Sequence, residues 1–129
     1  MHKHYLLAGA LSGAVAVALG AFGAHGLKQI VATETVNTFQ TGVQYQMYHS
    51  LALLITGVVY ERYFNKFIKL AGFCFIIGII LFSGSLYILT VLKATETVGL
   101  NGVGIVTPLG GLFFIAGWLF LFAGILKKN

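Results

Sequence analysis

Charged side chains are scarce in this sequence of 129 residues, of which only 9% are charged. Soluble domains usually carry about 25% charged residues, which cover the surface with hydrated groups. Here 58% of the residues are hydrophobic and the mean hydropathy is +0.92. The scarcity of charge therefore excludes an ordinary soluble domain and predicts that lipid surrounds most of the chain.

Cysteine and acidic residues are also rare. Cys74 is the single cysteine, which excludes an intrachain disulfide and a cysteine zinc site, and its apolar surroundings are typical of a packing residue. The three acidic residues all lie outside the most apolar parts of the sequence. The chain therefore lacks the carboxylates that couple protons within a membrane. A net charge of +5 would suggest nucleic acid binding in a soluble protein, but here it is first a topology signal, and no nucleic-acid partner is expected.

Four segments are long and apolar enough to form helices of roughly 20 residues, the length that crosses a hydrocarbon core. The sequence therefore predicts an all-α integral membrane protein, a four-helix transmembrane bundle that occupies residues 1–129 as one domain. The predicted helices cover about 5–26, 34–62, 70–92 and 107–126.

The basic residues between these segments are distributed unequally. By the positive-inside rule the side with more lysine and arginine is cytoplasmic, which predicts cytoplasmic termini and a multi-pass protein of the bacterial plasma (inner) membrane. The cytoplasmic side would hold Lys3, Arg62, Lys66, Lys69, Lys127 and Lys128, and the outer side Lys28 and Lys93.

The stretch 20-GAFGAHGLK-28 allows three interpretations. A signal-peptide cleavage site around Phe22 would leave three spans and move the charged loop 61–69 to the opposite side from the amino terminus. A phosphate-binding loop would need a Walker spacing or a preceding strand, and the sequence has neither. The third interpretation is helix packing, because small residues recur every three or four positions along one face of the first helix. These are Gly9, Gly13, Ala16, Gly20 and Gly23.

Small residues spaced by seven also mark the third and fourth segments. Helices in lipid associate by close packing, so these faces predict a compact bundle or, for part of the surface, a homo-oligomer. The predicted packing glycines are Gly78 in the third segment and Gly110, Gly117 and Gly124 in the fourth.

The fourth helix is predicted to begin at 107-TPLGG-111. Thr107 is suited to cap a helix whose first residue is Pro108, and the glycine-rich stretch 98–106 before it is predicted to be a loop over the outer mouth of the bundle. The same helix start would present the backbone of Gly110 and Gly111 to an anionic ligand.

Polar residues of the four segments concentrate in the predicted outer leaflet. Because polar groups in lipid turn toward a partner or a cavity, they predict one polar cluster beneath the glycine-rich loop. The candidate members are His25, Gln44, Tyr45, Gln46, His49, Ser83, Ser85, Tyr87 and Thr107.

The same residues carry a family resemblance. The segments GAFGAHGL, TGVQYQMYHSLALL, FSGSLYIL and TPLGGLFFIAGW resemble the signature blocks of the "domain of unknown function 423" family of small bacterial membrane proteins, which is similar to the eukaryotic transmembrane protein 256 family. The blocks occur in order along essentially the whole chain. The resemblance implies a four-helix plasma-membrane protein and implies no particular activity.

A structural role is one hypothesis for the cluster, in which hydrogen bonds between helices support a scaffold or helper subunit. That subunit would pack in the bilayer as a homo-oligomer or against a larger membrane protein. A second hypothesis is a small oligomeric transporter, or a membrane protein that binds a lipid or another small ligand. In either case only His25 or His49 could titrate near neutral pH within the spans.

An enzyme is the third hypothesis and haem or metal binding the fourth. Ser83 or Ser85 with His49 could supply a nucleophile and a base, but the G-x-S-x-G elbow and an acidic third member are missing. His25 is expected several ångströms shallower than His49, whereas metal ligands must converge. The sequence therefore predicts no catalytic residue, no cofactor and no metal site.

Overall fold

The computed structural model describes residues 1–96 and 102–127. This part of the chain folds into α1 (Lys3–Ala24), α2 (Thr33–Arg62), α3 (Lys66–Gly78), α4 (Gly84–Ala94) and α5 (Val103–Leu126). A 3-10 turn, Leu27–Gln29, follows α1, and a π-helical segment, Ile79–Ser83, joins α3 to α4 without a break. The prediction of an all-α protein is therefore confirmed for the described residues, which form four helical rods.

The rod that contains α3 and α4 begins at Lys66, four residues before the predicted start, because Asn65 caps it. The Asn65 Oδ1 atom accepts hydrogen bonds from the backbone N–H groups of Phe67 and Ile68 at 3.0 and 3.3 Å. The Asn65 Nδ2 atom donates to the carbonyl of Gly124 at 2.9 Å. One side chain thus caps α3 and ties it to the end of α5.

The predicted start of the last helix is wrong. Helix α5 begins at Val103 and contains Pro108, so Thr107 is not its cap and residues 103–106 are not a loop. Residues 98–101 of the predicted loop lie outside the described residues. Pro108 has no N–H group, so the carbonyl of Gly104, four residues back, loses its helical hydrogen bond. The first turn of α5 nevertheless closes, because the Ile105 N–H donates to the Gly102 carbonyl at 3.2 Å. The predicted anion site at Gly110 and Gly111 is wrong for the same reason, since both lie inside the helix.

Helices α1 and α2 are antiparallel and touch along their lengths through glycine. A Cβ atom added at Gly9 would lie 2.8 Å from the Ser50 carbonyl oxygen, and one added at Gly23 would lie 2.6 Å from Gln40 Nε2. At Gly20 the nearest atom would be Val43 Cγ1 at 3.3 Å, whereas at Gly13 it would be Ser50 Cβ at 3.9 Å, an ordinary contact. Three of the four packing glycines of α1 therefore permit a close approach of α2.

The rod that contains α3 and α4 is antiparallel to α5, and glycine again permits the contact. A Cβ atom at Gly117 would lie 2.6 Å from the Phe75 ring. Gly110 faces the backbone of Phe82, Gly124 faces Ile68, and Gly78 on the opposite rod faces the ring of Phe114. Each of these glycines is a notch that holds a larger side chain or backbone of the opposite helix.

Both described termini lie at the same end of the bundle. The His2 N–H donates to the Gly57 carbonyl at 2.9 Å, and the Met1 ammonium lies 3.8 Å from the Glu61 carboxylate. Lys127 places its ammonium 5.5 Å from the centre of the Phe67 ring, beside the turn that links α2 to α3. The connections between α1 and α2 and between α4 and α5 lie at the opposite end.

Three helical stretches of the described residues are long and apolar enough to cross a membrane: Lys3–Gln29, Lys66–Ala94 and Val103–Leu126. Helix α2 is not among them, because its first half is rich in threonine, asparagine and glutamine. Large apolar side chains nevertheless cover the outside of all four rods, including Leu11, Ile55, Ile80 and Phe122, which are 52–69% exposed.

Candidate functional site

The buried polar side chains of the bundle lie around the middle of α2. Gln46, His49, Ser50 and Ser83 are all at most 5% exposed, and none of them is charged. Together with Ser12, Ser85, Tyr87, Thr107 and Trp118, which they or their neighbours contact, they are here called the polar network.

Gln46 is the side chain that joins three rods. Its Nε2 atom donates to the Ser12 carbonyl of α1 at 2.9 Å, and its Oε1 atom accepts from the Tyr87 hydroxyl of α4 at 2.6 Å. Ser50, one turn further along α2, donates to Ser12 Oγ or to the Gln46 carbonyl, each at 2.7 Å. The amide of Gln46 therefore has a partner on each side, as a buried amide requires.

His49 occupies the interface between α2 and α5. Its Nδ1 atom lies 2.7 Å from the Tyr45 carbonyl, and its Nε2 atom accepts from Trp118 Nε1 at 3.0 Å. A carbonyl can only accept, so Nδ1 must carry the proton and Nε2 must be the free lone pair. The imidazole stacks on Phe114 with ring centres 3.5 Å apart. The two bonds hold His49 as a neutral ring of one tautomer, whose only basic atom is already occupied.

Ser83 ends the π-helical segment and bonds to α2. Its hydroxyl donates to the Gly42 carbonyl at 2.7 Å, and it is completely buried. The π turn is visible in the backbone, where the Gly84 N–H reaches the Ile79 carbonyl five residues back. A Cβ atom at Gly42 would lie 3.0 Å from the Tyr87 ring, so glycine permits this contact too.

Ser85, at the start of α4, and Thr107 connect α4 to α5. Their hydroxyl oxygens share a short hydrogen bond, and the Ser85 hydroxyl also lies 2.8 Å from the Phe82 carbonyl. Thr107 can make this contact because it lies within α5 and its side chain is not used as a cap. Ser83, Ser85, Tyr87 and Thr107 are therefore brought to the same region of the bundle as Gln46, although they do not all bond to one another.

Three predicted members, His25, Gln44 and Tyr45, lie outside the network. His25 is exposed at the end of α1, and Gln44 is exposed on α2. Gln44 is two residues from the buried Gln46, and two residues rotate a side chain by about 200° around a helix. His25 follows the last residue of α1, where the backbone leaves the helix. Tyr45 is 39% exposed, but its ring lies 4.7 Å from that of Phe82 between centres, and its carbonyl binds His49.

Three members of the network were missed from the sequence. Ser12 and Ser50 are short side chains within apolar runs, and they were overlooked because one serine in a helix gives little signal. Trp118 lies in the middle of an apolar segment, and its indole N–H faces His49. The signal for Ser50 was available, because it follows His49 and lies four residues after Gln46, on the same face of α2.

The arrangement lacks the usual features of a reaction centre. Within residues 1–96 and 102–127 every buried side-chain nitrogen or oxygen has a hydrogen-bond partner. The same residues contain no group of three histidine, cysteine or acidic side chains able to hold a metal ion. The Ser83 hydroxyl bonds to a carbonyl, and the His49 lone pair bonds to an indole. The polar groups of this region thus bond to one another or to the backbone of neighbouring helices.

Apolar outer surfaces, glycine-mediated helix contacts and a satisfied internal polar network define a small helical membrane protein. The family model described as "Protein of unknown function (DUF423)" matches residues 19–111. The chain belongs to this family, as its four signature segments predicted.

Similar proteins cover nearly the whole chain. A UPF0382 membrane protein of Haemophilus influenzae is 42% identical over 129 residues, which are 100% of this chain and 98% of the relative. The UPF0382 membrane protein YwdK of Bacillus subtilis is 38% identical, and the alignment covers 97% of this chain and 98% of the relative. The UPF0382 inner membrane protein YgdD of Escherichia coli is 37% identical over 97% of this chain and 91% of its own. No solved structure matches the chain.

Proposed function

We propose that this chain is a non-catalytic packing or helper subunit of the bacterial inner membrane, which spans the bilayer four times with both termini in the cytoplasm. The observation that carries the proposal is the saturation of its buried polar groups by partners within the chain. A ligand or transport site usually presents convergent polar groups to its substrate, whereas here those groups already bind one another.

The four-span arrangement is supported by the contact between α1 and α2. Helix α2 has 30 residues, about 45 Å at 1.5 Å per residue, which exceeds a hydrocarbon core of about 30 Å. It follows α1 from the Gly23 contact with Gln40 at one end to the His2 contact with Gly57 at the other. If α1 crosses the bilayer, α2 must cross beside it, with Gln46, His49 and Ser50 turned toward the other helices.

The orientation is supported by the charges at the two ends. The end with the termini carries Lys3, Arg62, Lys66, Lys69 and Lys127, and the opposite end carries Lys28 and Lys93. The positive-inside rule favours the first end for the cytoplasm. A location in the inner membrane agrees with the name of the relative from Escherichia coli, an inner membrane protein.

Helix α1 offers the surface through which such a subunit would bind. It packs mainly against α2, and its opposite face is exposed and contains alanines spaced by four, Ala10, Ala14 and Ala18. Small residues with this spacing allow close contact between helices in lipid. We therefore place the partner helix, from a second copy or from another membrane protein, on this face of α1.

The test is purification of the tagged chain from native membranes in mild detergent, followed by mass spectrometry and crosslinking. Ala14→Phe is expected to remove the bound partner, or to reduce crosslinked dimer if the partner is a second copy, by about tenfold. The matched control is Ile115→Phe on the exposed face of α5, which should retain it. A partner retained by Ala14→Phe would refute the α1 surface, and the absence of any partner of the wild type would refute the helper role.

A further inference from the structure

A cavity of about 510 Å³ opens at the end of the bundle opposite the termini. It lies between the start of α2 and the end of α4, and it is separate from the polar network. Among the residues that line it are Ile30, Ala32, Thr35, Leu92, Lys93 and Glu96. A cavity with both apolar walls and charges of both signs differs from the purely apolar grooves elsewhere on the surface.

The start of α2 supplies unused hydrogen-bond donors to this cavity. Ala32 occupies the cap position and has no side chain that could accept from the first turn. Its carbonyl accepts from the N–H groups of Thr35 and Val36, which leaves those of Thr33 and Glu34 without a cap. The positive end of a 30-residue helix dipole is thus uncompensated by a capping side chain.

Thr35 is the second, independent observation. It lines the cavity and is only 6% exposed, yet its hydroxyl has no hydrogen-bond partner among the described residues. Thr38 and Thr41 of the same helix differ from it, since their hydroxyls donate to carbonyls four residues back. Since every enclosed side-chain oxygen of the described residues has a partner, the Thr35 hydroxyl must be open to the cavity, where a ligand atom can complete its hydrogen bonds.

The charges around the cavity specify the ligand. The Lys93 ammonium and the donors of α2 favour a phosphate, and the Glu96 carboxylate, which lines the same cavity, favours a cation. Lys28 contributes further positive charge at a neighbouring concavity that shares Val31 with this one. Glu34 is exposed in the first turn of α2 and does not line the cavity. The apolar part of the wall includes Ile30, which is 61% exposed and suited to contact an acyl chain.

We propose that this cavity binds the headgroup of a zwitterionic phospholipid that bears a phosphate and a primary ammonium, such as phosphatidylethanolamine. The phosphate accepts from Lys93, the Thr35 hydroxyl and the first N–H groups of α2, and the ammonium pairs with Glu96. The inference does not depend on the helper role, because it concerns the opposite end of the bundle and needs no protein partner.

The experiment is native mass spectrometry of the full chain, delipidated in detergent and titrated with phosphatidylethanolamine or phosphatidylglycerol. Phosphatidylethanolamine is expected to bind the wild type more tightly. Lys93→Gln should weaken its binding about tenfold, and Thr35→Val, which removes only the hydroxyl, about threefold to tenfold. The matched control is Lys3→Gln, which removes one exposed lysine at the other end and should leave binding unchanged.

A variant that removes the negative charge of Glu96 tests the contact with the lipid ammonium. Glu96 is exposed, so Glu96→Gln should fold normally and lose the preference for phosphatidylethanolamine over phosphatidylglycerol. Equal binding of both lipids by the wild type, or equal loss in Lys3→Gln and Lys93→Gln, would overturn the proposal. Soluble O-phosphoethanolamine serves as the second arm, and its displacement of the lipid at equal concentration would show a soluble phosphate ester as the ligand and overturn the lipid assignment.

Discussion

Gln46 has more consequence for the bundle than any other single polar side chain, because its amide bonds to α1 and to α4 from within α2. Interhelical hydrogen bonds in membrane proteins contribute about 0.6 kcal/mol each on average, and a buried group left without its partner costs about 1–3 kcal/mol. Removal of this amide would also take from the Tyr87 hydroxyl its acceptor at 2.6 Å.

We expect Gln46→Leu to lower the free energy of unfolding by about 1–3 kcal/mol, since leucine keeps the volume and removes both bonds. The measurement is thermal or denaturant unfolding in detergent, followed by circular dichroism. Gln44→Leu is the matched control, because Gln44 is exposed on the same helix. Equal stability of the two variants would mean that the Gln46 bonds contribute nothing.

His2 gives the amino terminus a pH dependence. Burial, and next the nearby charge of His4, lower the pKa of His2 below 6.5. Its Nδ1 atom accepts from the Tyr5 N–H at 3.4 Å, and its ring stacks on that of Tyr5, so the fold favours the neutral form. The folded pKa is lower than the unfolded one, so this contribution is fully present above about pH 6.5 and is lost as the pH falls through the folded pKa.

The expected result is a small drop in the thermal midpoint of the wild type between pH 7.5 and pH 5, small because His2 is only partly buried. His2→Asn can still cap α1 and does not titrate in this range, so its drop should be smaller. The comparison of the two midpoints at both pH values is the measurement. A larger drop in His2→Asn than in the wild type would contradict the assignment.

At the scale of the elements, the notches along α5 govern how closely it approaches the neighbouring rod. Gly110 faces backbone atoms of Phe82, which cannot rotate away as a side chain can. Gly84 is also helical but has no atom near the position of an added Cβ. Alanine substitutions at the two glycines therefore distinguish a steric clash with the neighbouring helix from a change in helix propensity.

Gly110→Ala is expected to destabilise the bundle by about 2 kcal/mol or more, because the helices must separate. Gly84→Ala should be neutral or stabilising by up to about 1 kcal/mol, through the better helix propensity of alanine. Unfolding in detergent measures both. A tolerated Gly110→Ala would show that α5 can shift without cost.

The sequence was informative about elements where a feature repeats. The glycines spaced by seven indicated the face of α5, and apolar composition indicated all four rods. The starts of α3 and α5 were missed because the first depends on one side chain, Asn65, and the second on a proline tolerated near a helix start. The π-helical segment has no composition of its own, and the exposure of His25 follows from the place where α1 ends.

At the scale of the whole molecule, the connection between α1 and α2 and the connection between α2 and α3 lie at opposite ends of the bundle. This arrangement separates the four-span topology from a three-span one. If α2 crosses the bilayer, residues at its two ends must be accessible from different sides.

We expect a cysteine at Gln29 to react with an impermeant maleimide added to intact spheroplasts, and a cysteine at Phe64 to react only after lysis, both in a Cys74→Ser background. The physical reason is the length of α2 and the excess of basic residues at the end that holds Phe64. Labelling of both positions from outside would exclude α2 as a span. Labelling of Phe64 alone would reverse the orientation.

The regular spacing of the α5 notches also raises a question of register. Gly110, Gly117 and Gly124 receive Phe82, Phe75 and Ile68, which are themselves seven residues apart. A slide of α5 by seven residues, about 10.5 Å, would again bring a large side chain to a notch. Packing alone therefore discriminates weakly between the two alignments.

The side-chain hydrogen bonds do not repeat in this way. Asn65 with Gly124, Ser85 with Thr107 and His49 with Trp118 each exist in one alignment, and a slide would leave donors unpaired in lipid. These hydrogen bonds would then act mainly by selecting one alignment of the helices, and they would contribute less to the free energy of unfolding. A variant without all three bonds could remain helical and inserted while its rods adopt more than one alignment.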